Sequence, residues 1–493
     1  MLDLLVVGDV VWEGRVFPGL GIGVREGRVA GWYDPESAPP ASERVDGTGL
    51  LVLPGFIDAH VHCASTPFEG APAATAAAAA GGVTTIVDMP FDAPAGISTV
   101  EQFSAKRARL QRQIRTDCAM LAAVKKDSLD EISGLAVAGA CGYKMSLYDT
   151  DPVRFPILPD PFLLEAFRRV AKTGLHAGVH AENNLIIQEA VHQLCAAGRT
   201  RPRDHCLSRP PIAEIEATLR ACEFARETGV RLHIHHVSHP RCIEIVQRYR
   251  QEGVRVTVET CPHYLLLTVD DMDRLKARAK INPPLRERAD ADRLWADLAA
   301  GRIDLVTSDH APWPPEAKNK PNIFDNGSGA PGVQTLVPLL YSEGVAKGRI
   351  SLGRLVEVLS RNVARTFNLP PTKGELRPGA DADLVLLDPK KRWVLRDEQM
   401  LSNARWTPFA GMEVQGAVVA TLVRGRFAYR DGEVLAKPGD GHVVAGEAGG
   451  EPRAPSMRNR WGGRRRWAEE QEAGEAGKRR LCPGTTAADH LSV

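Results

Sequence analysis

Hydrophobic and polar positions fall into two textures along the chain. Residues 2 to 53 carry short apolar runs separated by Gly, Asp and Pro: Leu4 to Val7, Val10 to Trp12, Gly21 to Arg25, Arg28 to Trp32 and Gly49 to Leu53. Glu26-Gly27 between two of these runs is a hairpin turn signal. After Pro54, apolar strands alternate with amphipathic helices such as Thr99 to Ile114 and Pro161 to Lys172, the pattern of a parallel α/β fold. Eight strands can be counted: Phe56 to His62, Thr84 to Met89, Cys118 to Val124, Gly142 to Tyr148, Leu175 to His180, Arg231 to Val237, Arg255 to Cys261 and Asp304 to Ser308. This order predicts a (β/α)8 TIM barrel over residues 54–372, with its chemistry at the C-terminal strand ends.

Beyond the eighth strand, an insertion rich in Pro, Asn and Gly (Trp313 to Gly332) reads as a substrate-facing loop or lid. Helical patterns follow over Val333 to Glu343 and Leu352 to Phe367. Strand texture returns from Lys373 and runs through Gly416 to Arg424 and Arg426 to Tyr429. Residues 1–53 and 373–436 are therefore expected to form one small β-sandwich domain from both chain ends. The stretch 437–493 is rich in Gly, Glu, Arg and Pro and reads as a disordered tail, with Arg464-Arg-Arg466 as a solvated charge run.

Polar residues at the predicted strand ends carry the chemistry. His60 and His62 share a face at i and i+2 of the first strand, a spacing suited to one cation. Lys144, His180, His236 and Asp309 stand at or just past the ends of strands 4, 5, 6 and 8. Four imidazoles, a lysine and a carboxylate at one barrel mouth suit two divalent ions about 3.5 to 4 Å apart. An ammonium has no lone pair, so Lys144 can bridge two ions only after taking up carbon dioxide as a carbamate. By strand alternation His235, and His233 with it, should point into the barrel wall. His176, His192 and His239 read as structural or surface groups. His263 and His310 lie near the mouth and are candidates to contact the substrate or the groups behind the metal ligands, and Tyr148, four residues past Lys144, is another candidate substrate contact.

The 493 residues suffice for a barrel plus a smaller unit. With 62 basic and 61 acidic side chains there is no global field to favour nucleic acid or an anionic membrane, so a small, weakly charged ligand fits better. Nine cysteines without a paired CxxC pattern read as reduced thiols. No signal-like segment or long apolar run is present, and a cytoplasmic enzyme is expected.

The motifs Pro54-Gly-Phe-Ile-Asp-Ala-His-Val-His62, Ala80-Gly-Gly-Val-Thr-Thr-Ile-Val-Asp-Met-Pro90, Gly142-Tyr-Lys144, Val179-His-Ala-Glu-Asn183, His235-His-Val-Ser238, Glu259-Thr-Cys-Pro-His-Tyr264, Lys280-Ile-Asn-Pro-Pro-Leu-Arg286 and Thr307-Ser-Asp-His-Ala-Pro312 carry a resemblance. Over residues 2 to 430 the chain resembles the cyclic amidohydrolases of the amidohydrolase superfamily, the group of allantoinase, dihydropyrimidinase (hydantoinase) and dihydroorotase. The resemblance implies two Zn2+ per chain, with His60, His62, Lys144 and Asp309 on one ion and Lys144, His180 and His236 on the other, bridged by carbamylated Lys144. It also implies attack by a metal-bridging hydroxide on a cyclic amide, with Asp309 carrying the proton to the leaving nitrogen, and Asn282 as a ring contact.

Dihydroorotases hold the substrate carboxylate with an arginine and an asparagine where this chain has Ala64 and Phe91, which argues against that ring, although Lys280 to Arg286 looks dihydroorotase-like. Val87 to Pro94 is most similar to the allantoinase loop, although the Asn-Glu-Pro-Gly run usual after the histidine pair is replaced by Cys63 to Phe68. Allantoin to allantoate is the first reading. A hydantoinase or dihydropyrimidinase is the alternative, then a dihydroorotase; a catalytically inactive scaffold of the same group is the reading from another class. A homo-oligomer, tetramer or dimer, is expected.

Overall fold

The computed structural model describes residues 1–65 and 67–447. The N-terminal strands are β1 (Leu2–Trp12), β2 (Arg15–Arg25), β3 (Arg28–Tyr33) and β4 (Ala41–Pro54). The runs expected at Leu4 to Val7 and Val10 to Trp12 are one strand with a register shift between Gly8 and Val10. Glu26 and Gly27 join β2 to β3 with φ of 52° and 73°, as a primed hairpin turn requires. β4 begins well before its apolar run, because most of its first half faces solvent and carries polar side chains.

The parallel strands are β5 (Phe56–Val61), β6 (Val83–Asp88), β7 (Asp117–Met120), β8 (Ala122–Ala123), β9 (Tyr143–Ser146), β10 (His176–His180), β11 (Arg231–Ile234), β12 (Val256–Thr260) and β13 (Leu305–Val306). They follow sequence order in two parallel sheets, β5 to β7 and β8 to β13. β7 and β8 are two halves of one apolar run, the first paired back to β6 and the second forward to β9. Strands such as β5, β6, β9 and β10 are buried at every position, which is why they read as apolar runs instead of alternating. Past β13 the chain returns to β5. His62 donates its backbone N–H to the His310 carbonyl (2.8 Å), His310 donates to that of His60 (3.0 Å), and the Asp58 carboxylate accepts from the Ser308 N–H (3.0 Å).

The C-terminal strands β14 (Leu384–Val394), β15 (Glu413–Val423), β16 (Arg426–Arg430) and β17 (Glu433–Val434) extend the N-terminal ones. Together they make one mixed sheet in the order β17-β16-β15-β14-β4-β1-β2-β3. Leu4, Val6, Ile22, Val52, Leu384 and Leu422 belong to its own apolar cluster, distinct from the larger one around the parallel strands. A buried ammonium ties the two units together. Lys373 Nζ lies 2.5 Å from Asp117 at the start of β7, 2.8 Å from Asp383 and 3.0 Å from Asp381, and Arg424 also binds Asp117.

The unstructured tail expected from residue 437 is corrected for residues 437–447. His442 and Val444 exchange backbone hydrogen bonds with Cys118 (3.0 and 2.8 Å), and Glu447 N–H donates to the Asn368 carbonyl (2.9 Å). The backbone groups of this polar stretch are satisfied on the parallel unit instead of by water. Arg464-Arg-Arg466 lies outside the described residues. Among the described residues no helix is long and apolar enough to cross a membrane.

Lys373→Met should cost about 3 to 5 kcal/mol of unfolding free energy, because it takes a buried cation from three carboxylates and, among the described residues, leaves Asp383 with none, while Asp117 keeps Arg424 and Asp381 keeps Arg28. Denaturant titration of the variant against wild type measures it.

Candidate active site

A cavity of about 110 Å3 opens at the C-terminal ends of the parallel strands. Among its lining residues are His60, His62, Lys144, His180, His236, Asn282 and Asp309. Its outer walls are apolar and aromatic, including Phe91, Phe155, Trp313 and Pro312. Among the described lining residues Lys144 is the one lysine or arginine and Asp309 the one carboxylate.

The polar groups converge. His60 Nε2 lies 3.3 Å and His62 Nε2 3.7 Å from Asp309 Oδ1, and Lys144 Nζ is 3.4 Å from His60 Nε2. His180 Nδ1 faces His236 Nε2 at 3.0 Å. Burial holds the His60 and His236 imidazoles well below their ordinary range, so they are neutral and offer lone pairs. Burial also brings Lys144 down to about 8, against the pull of Glu259 and Asp309. Asp309 is pushed up by burial, but its hydrogen bond to His62 and the charges around it outweigh this and keep it below its usual value.

Two carboxylates behind the cavity aim these rings. Glu259 Oε1 accepts from His60 Nδ1 (2.5 Å) and His235 Nδ1 (3.0 Å), and its Oε2 accepts from His233 Nε2 (3.1 Å). Glu182 accepts from His180 Nε2 (2.8 Å) and is itself paired with Arg209. For His60 and His180 the carboxylate fixes one ring nitrogen as a donor and leaves the other facing the cavity, the arrangement that orients histidines on metal ions. The donor set fits a divalent cation. One ligand atom from each of His60, His62 and Asp309 lies within 4.8 Å of the others. The facing nitrogens of His180 and His236 need a proton or a cation between them.

Strand alternation misplaced His233 and His235. Both turn inward onto Glu259, and Gly178 makes the room: a Cβ there would lie 2.2 Å from His235 Nε2. His236 reaches the cavity because β11 has ended at Ile234 and the backbone turns to φ 37°. Asp309, past β13, has φ 47°. Such conformations cost non-glycine residues on the order of 1 to 3 kcal/mol each, and they cluster at functional sites.

The expected contacts His310, His263 and Tyr148 are not among the residues that line this cavity, although the Tyr148 ring stands 6.0 Å from that of His180. His310 points behind it, where Nδ1 accepts from the Gly332 N–H (3.1 Å) and Nε2 lies 3.3 Å from Glu69. The Tyr148 ring is covered by the Arg209 guanidinium at 4.2 Å. His263 is enclosed, and burial lowers it to about 4 against the pull of Asp309. Glu182 and Glu259 were the functional groups missed. Both had a signal: a carboxylate in an apolar strand or two residues past a site histidine on the same face.

Residues 51–428 match the Amidohydrolase family. An allantoinase of Rubrobacter xylanophilus is 39% identical over 439 residues, which cover 88% of this chain and 96% of the relative. An L-hydantoinase of Paenarthrobacter aurescens is 36% identical over 89% of this chain and 96% of its own length. The solved L-hydantoinase (dihydropyrimidinase) from Arthrobacter aurescens superposes with a TM-score of 0.88 at 36% identity, covering 90% of this chain and 100% of that one.

Glu259→Gln keeps the size of the side chain but loses the charge that orders the three rings. Divalent-cation affinity should fall by a factor on the order of 10 to 100, as competition against a fluorescent chelator would measure.

Proposed function

The chain belongs to the amidohydrolase family, and from that premise we propose that this hydrolase opens a five-membered cyclic ureide, allantoin to allantoate, with two Zn2+ as cofactor. The observation that carries this reading is the convergence of four histidines, Lys144 and Asp309 in one aromatic-walled cavity that has no other lysine or arginine among its described lining residues. His60, His62, Lys144 and Asp309 would hold one ion, and Lys144, His180 and His236 the other. When bound, such a pair of ions supplies Lewis acidity that activates water near neutral pH and polarises the ring carbonyl.

The chain's own residues do the rest. Lys144, brought toward neutrality by burial, adds its amine nitrogen to the carbon of CO2 and releases one proton, which leaves a carbamate. Asp309, ionised and at the cavity floor, accepts the proton of the attacking water and returns it to the ring nitrogen as the C–N bond breaks. Asn282 Oδ1 is buried without a partner and suits a ring N–H. The apolar walls exclude water and strengthen each of these interactions.

A second reading, a hydantoin with an apolar substituent at its 5-position, is favoured by Phe91, Phe155 and Trp313 on the outer wall. A dihydroorotate carboxylate would meet no free lysine or arginine among the described lining residues, which speaks against that ring. The intact donor set speaks against a scaffold that has lost its chemistry.

In this reading residues 54–372 form the catalytic unit and 1–53 with 373–436 the accessory β-sandwich domain. A closed (β/α)8 barrel is supported by the backbone hydrogen bonds that bring His310, past β13, beside His60 and His62 of the first parallel strand. The eight described cysteines are free thiols, in keeping with a cytoplasmic protein. Exposed Leu185, Leu207, Ile212 and Leu219 on successive helices suit a second copy of the chain.

Assaying ring opening across allantoin, 5-substituted hydantoins, dihydropyrimidines and dihydroorotate tests the substrate. Allantoin should be turned over fastest; a strong preference for an aromatic hydantoin selects the second reading, and no turnover of any ring refutes both. Asp309→Asn should lower turnover by a factor on the order of 100 or more with metal retained, measured by steady-state kinetics beside elemental analysis. Lys144→Ala should lose metal and activity together, and a short-chain carboxylic acid should partly restore both; activity that survives without metal would sink the carbamate.

A further inference from the structure

Two lysines beside the cavity are buried with no carboxylate at ion-pair distance among the described residues. Lys280 and Lys318 are 5% and 6% exposed. Lys318 Nζ donates to three backbone carbonyls, those of Lys280 (3.0 Å), Gly327 (2.9 Å) and Gly329 (2.8 Å). Lys280 Nζ donates to the carbonyls of Phe324 (2.9 Å) and Asn326 (2.5 Å). Three oxygens around one nitrogen require three N–H bonds, which only the charged ammonium has. Burying such a charge without an anion is costly, and an apolar side chain would fill the space more cheaply.

The return is order in the loop over residues 313–332, which holds only two short 3-10 turns, Pro315–Lys318 and Ile323–Asp325. Four of its carbonyls turn inward, and the two ammonium groups collect them. The same stretch supplies Trp313, Ser328 and Gly329 to the cavity wall. Gly329 N–H donates to the Lys280 carbonyl (2.9 Å), and Trp313 Nε1 donates to that of Ser328 (2.9 Å). Asn282, also on the wall, stands two residues from Lys280. The cage thus links the two wall segments, Asn282 and Ser328-Gly329, through one backbone carbonyl.

We propose that Lys280 and Lys318 form an internal cationic clamp that makes this loop a fixed wall for recognising the substrate ring, with Lys318 a positioning residue that sets ring affinity and not the chemical step. The recognition half rests on the reading of the cavity as a cyclic-ureide site. Lys318 lines no part of the cavity and stands apart from the metal-ligand candidates, so its removal separates wall from chemistry.

The test compares wild type with Lys318→Ala in hydrogen exchange across the loop, bound metal, and KM and kcat for allantoin and hydantoin. Exchange within the loop should quicken and KM rise on the order of tenfold, with kcat and metal content near wild type. Ethylammonium should refill the carbonyl cage and bring exchange and KM back toward wild type, where sodium chloride at equal ionic strength does not. Unchanged exchange or KM overturns the proposal, as does a joint loss of metal and kcat, or a recovery that sodium chloride matches or ethylammonium fails to give. Should the variant be recovered unfolded, Lys280→Met, which removes two of the five carbonyl bonds, carries the exchange and KM comparison. If wild type opens neither ring, the cavity reading and the recognition half fail together, and loop exchange with and without ethylammonium alone decides the clamp.

Discussion

A buried carboxylate, Glu259, orients three rings of the histidine cluster. Glu259 has no solvent exposure, and its oxygens accept from the rings of His60, His233 and His235 and from the backbone N–H of His236. Leaving a carboxylate unpaired at that depth would cost several kcal/mol. Each neutral ring that serves it must spend its one proton there. For His60 the remaining lone pair is on Nε2, the atom that meets Asp309 and Lys144. Satisfying one deep charge therefore prepares the donor set at the surface of the cavity.

Around that set the cavity is sparing with charge. The polar floor is closely packed and the walls are aromatic, so electrostatic interactions act in a medium far less polarisable than water. Enclosure also holds the His60, His235 and His236 imidazoles well below their ordinary range. A histidine that titrated in the ordinary range would compete with a cation for its own lone pair.

Much of this was legible in the sequence because burial on both faces writes parallel strands as apolar runs, and polar residues at the ends of those runs stand out. His60, His62, Lys144, His180, His236 and Asp309 were found that way, and the structure brings them together. Alternation failed at His233 and His235, which turn onto Glu259, whereas His236 reaches the cavity because the strand stops at Ile234 and a positive φ sets its direction. The first half of β4 was missed because a solvated edge has no apolar signature. For His310, His263 and Tyr148, nearness to the mouth in sequence does not fix the direction of a side chain. Lys280 and Lys318 were invisible for another reason: their partners are backbone carbonyls, which every residue has.

The mixed sheet ties the two ends of the chain together, and this sets an order on synthesis. β1 to β4 can pair as soon as they emerge, but the free edge of β4 waits for β14, since Pro54 and its neighbours pair with Leu384 to Leu387. During translation of the whole parallel unit that edge offers unpaired N–H and carbonyl groups to any passing strand. A ribosome that stalls before β14 would release a chain with its core assembled and its seam open. Such a fragment is a candidate for chaperone capture or edge-to-edge aggregation.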